Sequence, residues 1–283
     1  MRKPGLISIF LLLLLIASSI LALATERYIV ISHQSEILGK KKMLAIILPA
    51  DYTPEKRYPV LYLLHGAGGD YLNWHKEDAK LYELSRKYEM IIVTPDVETS
   101  WLADSQIKPK SQYESYIIKE LIPFIDTEYP TIPTYRGRGI AGLSMGGHGA
   151  MVLVSKYPDI FGVASSMSGV LDIRMIPDTA GKKTIFGDPL DYPEVWNNNS
   201  AVYLADNLKK ARRRPRLMFD VGLSDYVYDA NLKYHTTLKK LNIDHIFKVY
   251  PGNHNWDYWK ARLPEHLEFH AQNLKKPEIS FEE

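Results

Sequence analysis

The sequence predicts an α/β fold: a doubly wound, mostly parallel sheet with helices on both faces and an antiparallel hairpin at its N-terminal end. Short apolar runs, typical of buried strands, alternate along the chain with segments whose apolar residues recur at helical spacing. The first two predicted strands instead alternate polar and apolar residues, as an exposed antiparallel hairpin does. No internal repeat and no low-complexity linker divides the chain, so we expect one domain over residues 25–283.

Each element is predicted from a local pattern. The apolar runs between the predicted helices are typical of strands that are covered on both faces. The predicted strands are Tyr28–Ile37, Lys42–Leu48, Pro59–Leu64, Met90–Thr94, the run Gly139–Ala141, Gly162–Met167, Leu217–Val221 and His245–Tyr250. The predicted helices are Asp78–Tyr88, Tyr113–Tyr129, the segment after Ser144, Asp229–Leu241 and Leu263–Leu274. Functional groups gather at the carboxyl ends of the strands in such a sheet.

The first 24 residues have the pattern of a secretory leader. Arg2 and Lys3 give a basic start, Leu6–Leu15 an apolar core, and Ala22–Ala24 a small-residue cleavage site. We expect cleavage after Ala24 and a secreted or periplasmic mature protein. An uncleaved membrane anchor is the alternative, because the apolar stretch nearly reaches the roughly 20 residues that span a bilayer.

Composition excludes several classes of function. The chain has 35 Lys and Arg against 33 Asp and Glu, and the surplus of two lies in the leader. A neutral mature chain gives no support for nucleic-acid binding, and we expect membrane contact only if the leader is retained. The absence of cysteine excludes disulfides and thiol catalysis.

The segment 172–207 departs from the alternation of strands and helices. It is rich in Pro, Gly, Asp and Asn. We interpret it as a partial lid over the predicted cleft, and a surface excursion without ligand contact is the alternative.

The run Gly142-Leu143-Ser144-Met145-Gly146 is a G-x-S-x-G pattern between a predicted strand and a predicted helix. It predicts a tight turn that strains the serine backbone and exposes its hydroxyl above the sheet edge. A side chain at either glycine would collide with the neighbouring strand or helix. The pattern alone also fits an ordinary glycine-rich turn.

A reactive serine needs a base to take its proton and an acid to orient that base. His254 lies in the glycine-containing loop directly after the last predicted strand, which makes it the candidate base. Asp225 follows the preceding strand and is the candidate acid, in the chain order Ser, Asp, His. Asp257 is the alternative acid, although capping of the following turn explains it more simply.

The other acids and histidines are interpreted as structural. Asp220 lies inside a strand, and Asp229 begins a helix, where capping is the default role. His65 is expected to shape its glycine loop, and His148 to pack on the helix after the serine.

The oxyanion of an acyl-transfer reaction needs two backbone donors. The N–H of Met145 is one candidate, since it opens the helix after the serine. Ala67 in the His65–Gly69 run is the other, with Gly66 as the alternative. This run lacks the lysine and Ser/Thr of a phosphate-binding loop, which disfavours a phosphate site.

Aromatic residues cluster near the same loops. Trp74, Trp101 and Trp256 are candidates for lining an acyl or sugar pocket, and packing in the core is the alternative for each. Further aromatic residues nearby are Tyr226, Tyr228, Tyr258 and Trp259.

These motifs, taken in order, resemble the putative-esterase family of α/β-hydrolases. The resemblance covers nearly all of the mature chain and is closest to the tributyrin-esterase branch. It rests on the His65–Gly69 run with Trp74, the 142–147 run, Asp225 and the Pro251–Trp256 run, with further likeness in Ser100-Trp101, Tyr113–Ile117 and Glu120–Pro123. It implies an α/β-hydrolase fold, a Ser144–His254–Asp225 triad, acyl-enzyme chemistry, and neither cofactor nor metal. Many relatives have Asp where this chain has Asn255, a difference that we expect to bear on substrate preference.

The family includes tributyrin, feruloyl and acetyl-xylan esterases, S-formylglutathione hydrolases and mycolyl transferases. The resemblance therefore implies a serine carboxylesterase acting on short-chain acyl or carbohydrate-linked acetyl and feruloyl esters, and the leader predicts that it is secreted. Acyl transfer to a sugar or lipid alcohol is the alternative. A non-catalytic envelope or carbohydrate-binding protein is less favoured, because the candidate serine, acid and base are all present. The oligomeric state stays open.

Overall fold

The computed structural model describes residues 28–77, 79–178, 181–276 and 278–279. The predicted leader, residues 1–24, lies outside these ranges. The strands are β1 (Ile29–Ser35), β2 (Lys40–Ile47), β3 (Lys56–Arg57), β4 (Val60–Leu64), β5 (Ile91–Pro95), β6 (Arg138–Leu143), β7 (Val163–Met167), β8 (Arg216–Gly222), β9 (Ile246–Tyr250) and β10 (Glu278–Ile279).

The helices alternate with these strands as the sequence predicts. They are α1 (Asn73–Lys76), α2 (Leu81–Tyr88), α3 (Tyr113–Tyr116), α4 (Ile122–Glu128), α5 (Met145–Lys156), α6 (Lys182–Phe186), α7 (Pro193–Asn197), α8 (Ala201–Lys210), α9 (Tyr228–Lys240) and α10 (Trp256–Asn273). A π-helical turn, Ile117–Leu121, joins α3 to α4, so the predicted helix Tyr113–Tyr129 is continuous but locally wider, with i→i+5 hydrogen bonds.

Eight strands form one mixed sheet in the spatial order β1-β2-β5-β4-β6-β7-β8-β9. The predicted hairpin is confirmed, since β1 and β2 pair antiparallel and β2 pairs antiparallel with β5. The six strands β4 to β9 run parallel to one another. The predicted fold class is therefore confirmed.

The apolar core lies on both faces of this sheet, as the unbroken apolar runs require. In β4, Val60, Tyr62 and Leu64 belong to one buried cluster. Leu61 and Leu63 belong to the cluster on the opposite face. Side chains alternate across a strand, so a strand buried on both sides must be apolar throughout.

The last helix begins earlier than the sequence predicts. We expected Leu263–Leu274, whereas α10 starts at Trp256 and contains Pro264. A proline after a leucine resembles a first helical turn, which explains the misplaced boundary. The start is fixed by Asn255, whose Oδ1 accepts a hydrogen bond from the Tyr258 N–H at 3.1 Å.

The segment 172–207 contains α6, α7 and the beginning of α8, which the sequence analysis did not predict. Phe186 in this segment packs against Trp101, with ring centroids 6.3 Å apart, and against Trp196. Among the described residues, no helix is long and apolar enough to cross a membrane.

Candidate active site

Ser144 occupies a strained turn between β6 and α5. Its backbone has φ 52° and ψ −117°, a conformation that non-glycine residues rarely adopt. A Cβ at Gly142 would lie 2.5 Å from the Gly146 backbone, and a Cβ at Gly146 would lie 2.6 Å from the carbonyl oxygens of Leu64 and His65. The predicted collisions at both glycines are confirmed, and the turn packs directly against the end of β4.

Two further loops converge on the serine from neighbouring strands. Asp225 follows β8 and His254 follows β9, and both strands run parallel to β6. The loops are joined by hydrogen bonds from the Leu223 N–H to the Tyr250 oxygen at 2.8 Å and from the Ser224 N–H to the Gly252 oxygen at 3.0 Å. The sheet and these bonds together hold the two side chains at the same edge.

Ser144, His254 and Asp225 form a continuous hydrogen-bonded chain. The Ser144 Oγ lies 2.9 Å from the Nε2 of His254. The Nδ1 of His254 lies 3.0 and 3.1 Å from the two carboxylate oxygens of Asp225. Because an ionised carboxylate only accepts, Nδ1 carries the proton and Nε2 is free to accept the serine proton.

The candidate acid is held in place by its own surroundings. Asp225 is buried, and its Oδ1 also accepts a hydrogen bond from the Val227 N–H at 3.0 Å. Asp257, the alternative, is exposed and lies in the first turn of α10. The geometry brings Asp225, and not Asp257, against the histidine.

The remaining acids have structural surroundings. Asp220 is buried in β8, and its Oδ2 lies 3.0 Å from the Nε2 of the buried His266. Asp229 lies in the first turn of α9 but does not cap it, because the N-cap position belongs to Val227.

Two of the other histidines lie where the sequence analysis expected structural roles. His65 donates from Nδ1 to the Gly66 oxygen at 2.7 Å and accepts at Nε2 from the Val97 N–H at 3.0 Å, so it links the glycine loop to the loop after β5. His148 is buried on α5, where burial lowers its pKa to about 4.

The candidate oxyanion donors border the serine from two sides. Met145 is the first residue of α5, and an N–H at that position has no acceptor within the helix. Ala67 and Gly66 line the cavity that contains Ser144. A Cβ at Gly66 would lie 3.5 Å from that of Ser144, so the glycine loop contacts the serine. The oxyanion roles of Ala67 and Met145 stay predictions.

A cavity of about 420 Å³ opens over the Ser144 hydroxyl. Trp256 is in its wall, as we expected for a candidate substrate contact. The residues that line this cavity are Gly66, Ala67, Gly68, Gly69, Asn73, Leu143, Ser144, Tyr226, His254, Trp256 and Trp259. None of the described residues of segment 172–207 is in this wall, and the lid interpretation stays a prediction.

Trp74 and Trp101 are not among the residues that line the cavity. Trp74 is fully buried, donates from Nε1 to the Leu64 oxygen at 3.3 Å, and packs edge-on against Trp256 at 5.2 Å. Trp101 is buried against His148, with ring centroids 5.3 Å apart. Trp74 therefore does not line the cavity itself but packs against Trp256, which does.

Three further residues of the cavity wall are Asn73, Tyr226 and Trp259. The sequence placed Tyr226 and Trp259 in the aromatic cluster near these loops without a role, and it gave no indication of Asn73. Tyr226 has its hydroxyl 3.3 Å from the Nε2 of His254, and Trp259 packs edge-on against the same imidazole. The position of Tyr226 directly after the acid was a usable signal. Asn73 and Trp259 reach the cavity through tertiary packing that the sequence pattern does not reveal.

The described residues contain no group of three or more His, Cys, Asp or Glu side chains that could hold a metal ion. Asn255, where many relatives have Asp, is exposed and caps α10.

Comparison with known proteins agrees with this geometry. The model of the family described as "Putative esterase" matches residues 35–270. An acetyl esterase of Caldicellulosiruptor saccharolyticus is 28% identical over 261 residues, which cover 84% of this chain and 96% of that protein. Esterase Rv1288 of Mycobacterium tuberculosis is 30% identical over 249 residues, 78% of this chain, and the match spans only 54% of that longer protein.

The fold is shared with solved esterase structures. A ferulic acid esterase superposes with a TM-score of 0.74 at 26% identity, covering 87% of this chain and 98% of the other. The chain belongs to the putative-esterase family, and its fold is that of the α/β-hydrolases.

Proposed function

We propose that the protein is a serine carboxylesterase that hydrolyses short-chain acyl or carbohydrate-linked esters, such as acetyl and feruloyl esters, through an acyl-enzyme intermediate. The observation that carries this proposal is the hydrogen-bonded chain Ser144–His254–Asp225. A related acetyl esterase and a ferulic acid esterase of the same fold support the substrate class.

The reaction follows from the geometry in two halves. Ser144 Oγ attacks the ester carbonyl carbon while its proton passes to His254 Nε2. Asp225 keeps the other ring nitrogen protonated and stabilises the imidazolium. The C–O bond to the alcohol then breaks, the alcohol takes the proton from Nε2, and the acyl group stays on the serine.

Water reverses the sequence in the second half. His254 takes a proton from the water, the hydroxyl oxygen attacks the acyl carbon, and the acid leaves as Ser144 recovers its proton. The N–H groups of Met145 and Ala67 would donate to the oxyanion in both halves, where the positive end of α5 also favours negative charge.

The test is hydrolysis of a panel of acetyl, butyryl and feruloyl esters by the wild type and by Ser144→Ala. We expect turnover by the wild type, fastest on the short acyl chains, and no turnover above background by the variant. Equal turnover by both proteins would contradict the proposal. The variant removes one half-buried hydroxyl at the cavity, so its circular dichroism spectrum should match that of the wild type.

We further propose that the protein is exported, on the basis of the basic, apolar and small-residue pattern in residues 1–24. N-terminal sequencing of the protein from its native host should then begin at Thr25. A sequence that begins at Met1 would contradict cleavage and leave the anchor as the alternative.

A further inference from the structure

Tyr226 is an exposed aromatic residue whose hydroxyl lies against the reacting atoms. Its neighbours in sequence, Asp225 and Val227, are buried, whereas Tyr226 itself is 58% exposed. The hydroxyl lies 3.3 Å from the Nε2 of His254, and the two rings lie 4.5 Å apart between centroids. Tyr226 also lines the cavity over Ser144.

We propose that the Tyr226 hydroxyl donates a hydrogen bond to the leaving-group oxygen of the ester and helps to expel the alcohol. This inference rests on the proposed esterase reaction and assigns one further catalytic contact within it. It concerns the leaving alcohol, to which the triad supplies the proton of His254 and the oxyanion donors supply no contact.

The hydroxyl is available as a donor throughout the reaction. Burial beside the cavity, together with the negative charge of Asp225, raises the pKa of the Tyr226 phenol above its ordinary value. The phenol therefore keeps its proton at neutral pH. In the resting enzyme the Nε2 of His254 already accepts from Ser144, so the tyrosine proton is not required there.

The Tyr226 hydroxyl lies on the side of His254 from which the alkoxy oxygen of the ester must approach. Once Ser144 has attacked, Nε2 carries a proton that it must deliver to the alkoxy oxygen as the C–O bond breaks. That oxygen must come within hydrogen-bond reach of Nε2, roughly 2.6–3.2 Å, from the open side of the cavity. Tyr226 borders this side and contacts the same nitrogen.

The tyrosine transfers no proton of its own in this step. It donates a hydrogen bond to the negative charge that builds on the departing oxygen, while His254 supplies the proton that makes the product a neutral alcohol. The benefit should depend on the alcohol. A phenolate that is stable as an anion needs little help, whereas an alkoxide needs both the proton and the hydrogen bond.

The rigid support of Tyr226 fits such a role. The Asp225 N–H donates to the Gly222 oxygen at 3.1 Å, the Tyr228 N–H donates to the Asp225 oxygen at 3.0 Å, and α9 begins immediately afterwards. The backbone on both sides of Tyr226 is therefore fixed, and only the ring extends into the cavity.

The experiment compares two acetate esters that form the same acetyl-enzyme. p-Nitrophenyl acetate releases a stable phenolate, and ethyl acetate must release a protonated alcohol. Tyr226→Phe keeps the ring and removes the hydroxyl. We expect kcat/KM to fall about tenfold for ethyl acetate and less than about twofold for p-nitrophenyl acetate.

A matched control is Tyr135→Phe, which removes a tyrosine hydroxyl before the start of β6, at the opposite end of that strand from Ser144, and should leave both values unchanged. An equal fall for both esters, or no fall for either, would overturn the role of Tyr226 while leaving the esterase proposal intact. A wild type that hydrolyses neither ester would instead contradict the proposed function, and the Tyr226 inference with it.

Discussion

Ser144 combines two properties that a structural serine does not need. Its φ of 52° and ψ of −117° place it in a sparsely populated backbone region, at a cost on the order of 1–3 kcal/mol. Its hydroxyl lies 2.9 Å from the Nε2 of His254. Strain of this kind persists only where the surrounding structure holds it, and here β4, β6 and α5 do so.

The residue-scale prediction concerns the acid. Asp225→Asn should lower kcat for p-nitrophenyl acetate by about 10⁴-fold, because an amide at this position no longer fixes the productive tautomer of His254. Steady-state kinetics at neutral pH measures the effect.

Asp257→Asn is the matched control, since Asp257 is exposed and lies in the first turn of α10. It should retain wild-type turnover within about twofold. The acid role would pass to Asp257 if this variant lost activity and Asp225→Asn did not.

At the scale of single elements, α5 and the glycine loop meet at a backbone contact that leaves no room for a side chain. Gly146 faces the carbonyl oxygens of Leu64 and His65 at the end of β4. The same contact sets the distance between Ser144 and the loop that carries Ala67. The spacing of the site therefore depends on glycine at position 146.

Gly146→Ala should lower the free energy of unfolding by about 3 kcal/mol and reduce esterase turnover, because the new Cβ meets rigid backbone and must displace the glycine loop. Urea denaturation and steady-state kinetics measure the two effects.

Gly39→Ala is the comparison variant, since a Cβ there meets nothing within 4 Å and only its φ of +63° is unfavourable. It should cost about 1 kcal/mol and leave turnover unchanged. A Gly146→Ala variant that is as stable and as active as Gly39→Ala would contradict the account of this contact.

The sequence predicts the turns and loops that carry the catalytic side chains better than it predicts which residues pack against them. The G-x-S-x-G turn and the loops with Asp225 and His254 are formed by residues adjacent in sequence at the ends of strands, so the sequence alone indicates them. It does not indicate the burial of Trp74, because that depends on packing between α1 and α10. The start of α10 was misplaced because Pro264 resembles a first turn, whereas the capping bond of Asn255 fixes the true start.

At the scale of the whole molecule, the double-sided core contains neutral histidines on both faces of the sheet. His148 lies on α5 and His270 on α10, and both are fully buried. Burial lowers the pKa of His148 to about 4 and that of His270 to about 3. The unfolded chain protonates both near pH 6.5, whereas the folded chain does not.

Stability should therefore fall as the pH drops below 6.5. Each buried histidine contributes up to about 1.4 kcal/mol per pH unit until the pH approaches its folded pKa. His270→Gln should remove one such contribution, so the slope of the unfolding free energy between pH 6 and pH 5 should be shallower by about that amount. Urea titrations at the two pH values measure it.

Ser165→Ala provides the control, because it removes the hydroxyl that lies 3.0 Å from the Nε2 of His270 while the histidine stays. It should lower stability similarly at both pH values. An unchanged slope in His270→Gln would show that this histidine is protonated in the folded protein.

The central claim is that Ser144 is an activated nucleophile. Incubation of the protein with a fluorophosphonate, followed by peptide mass spectrometry, tests it most directly. The account predicts one covalent adduct per chain, on the peptide that contains Ser144, and none in Ser144→Ala or after heat denaturation. An unlabelled wild type, or a Ser144→Ala variant labelled to the same extent, would contradict it.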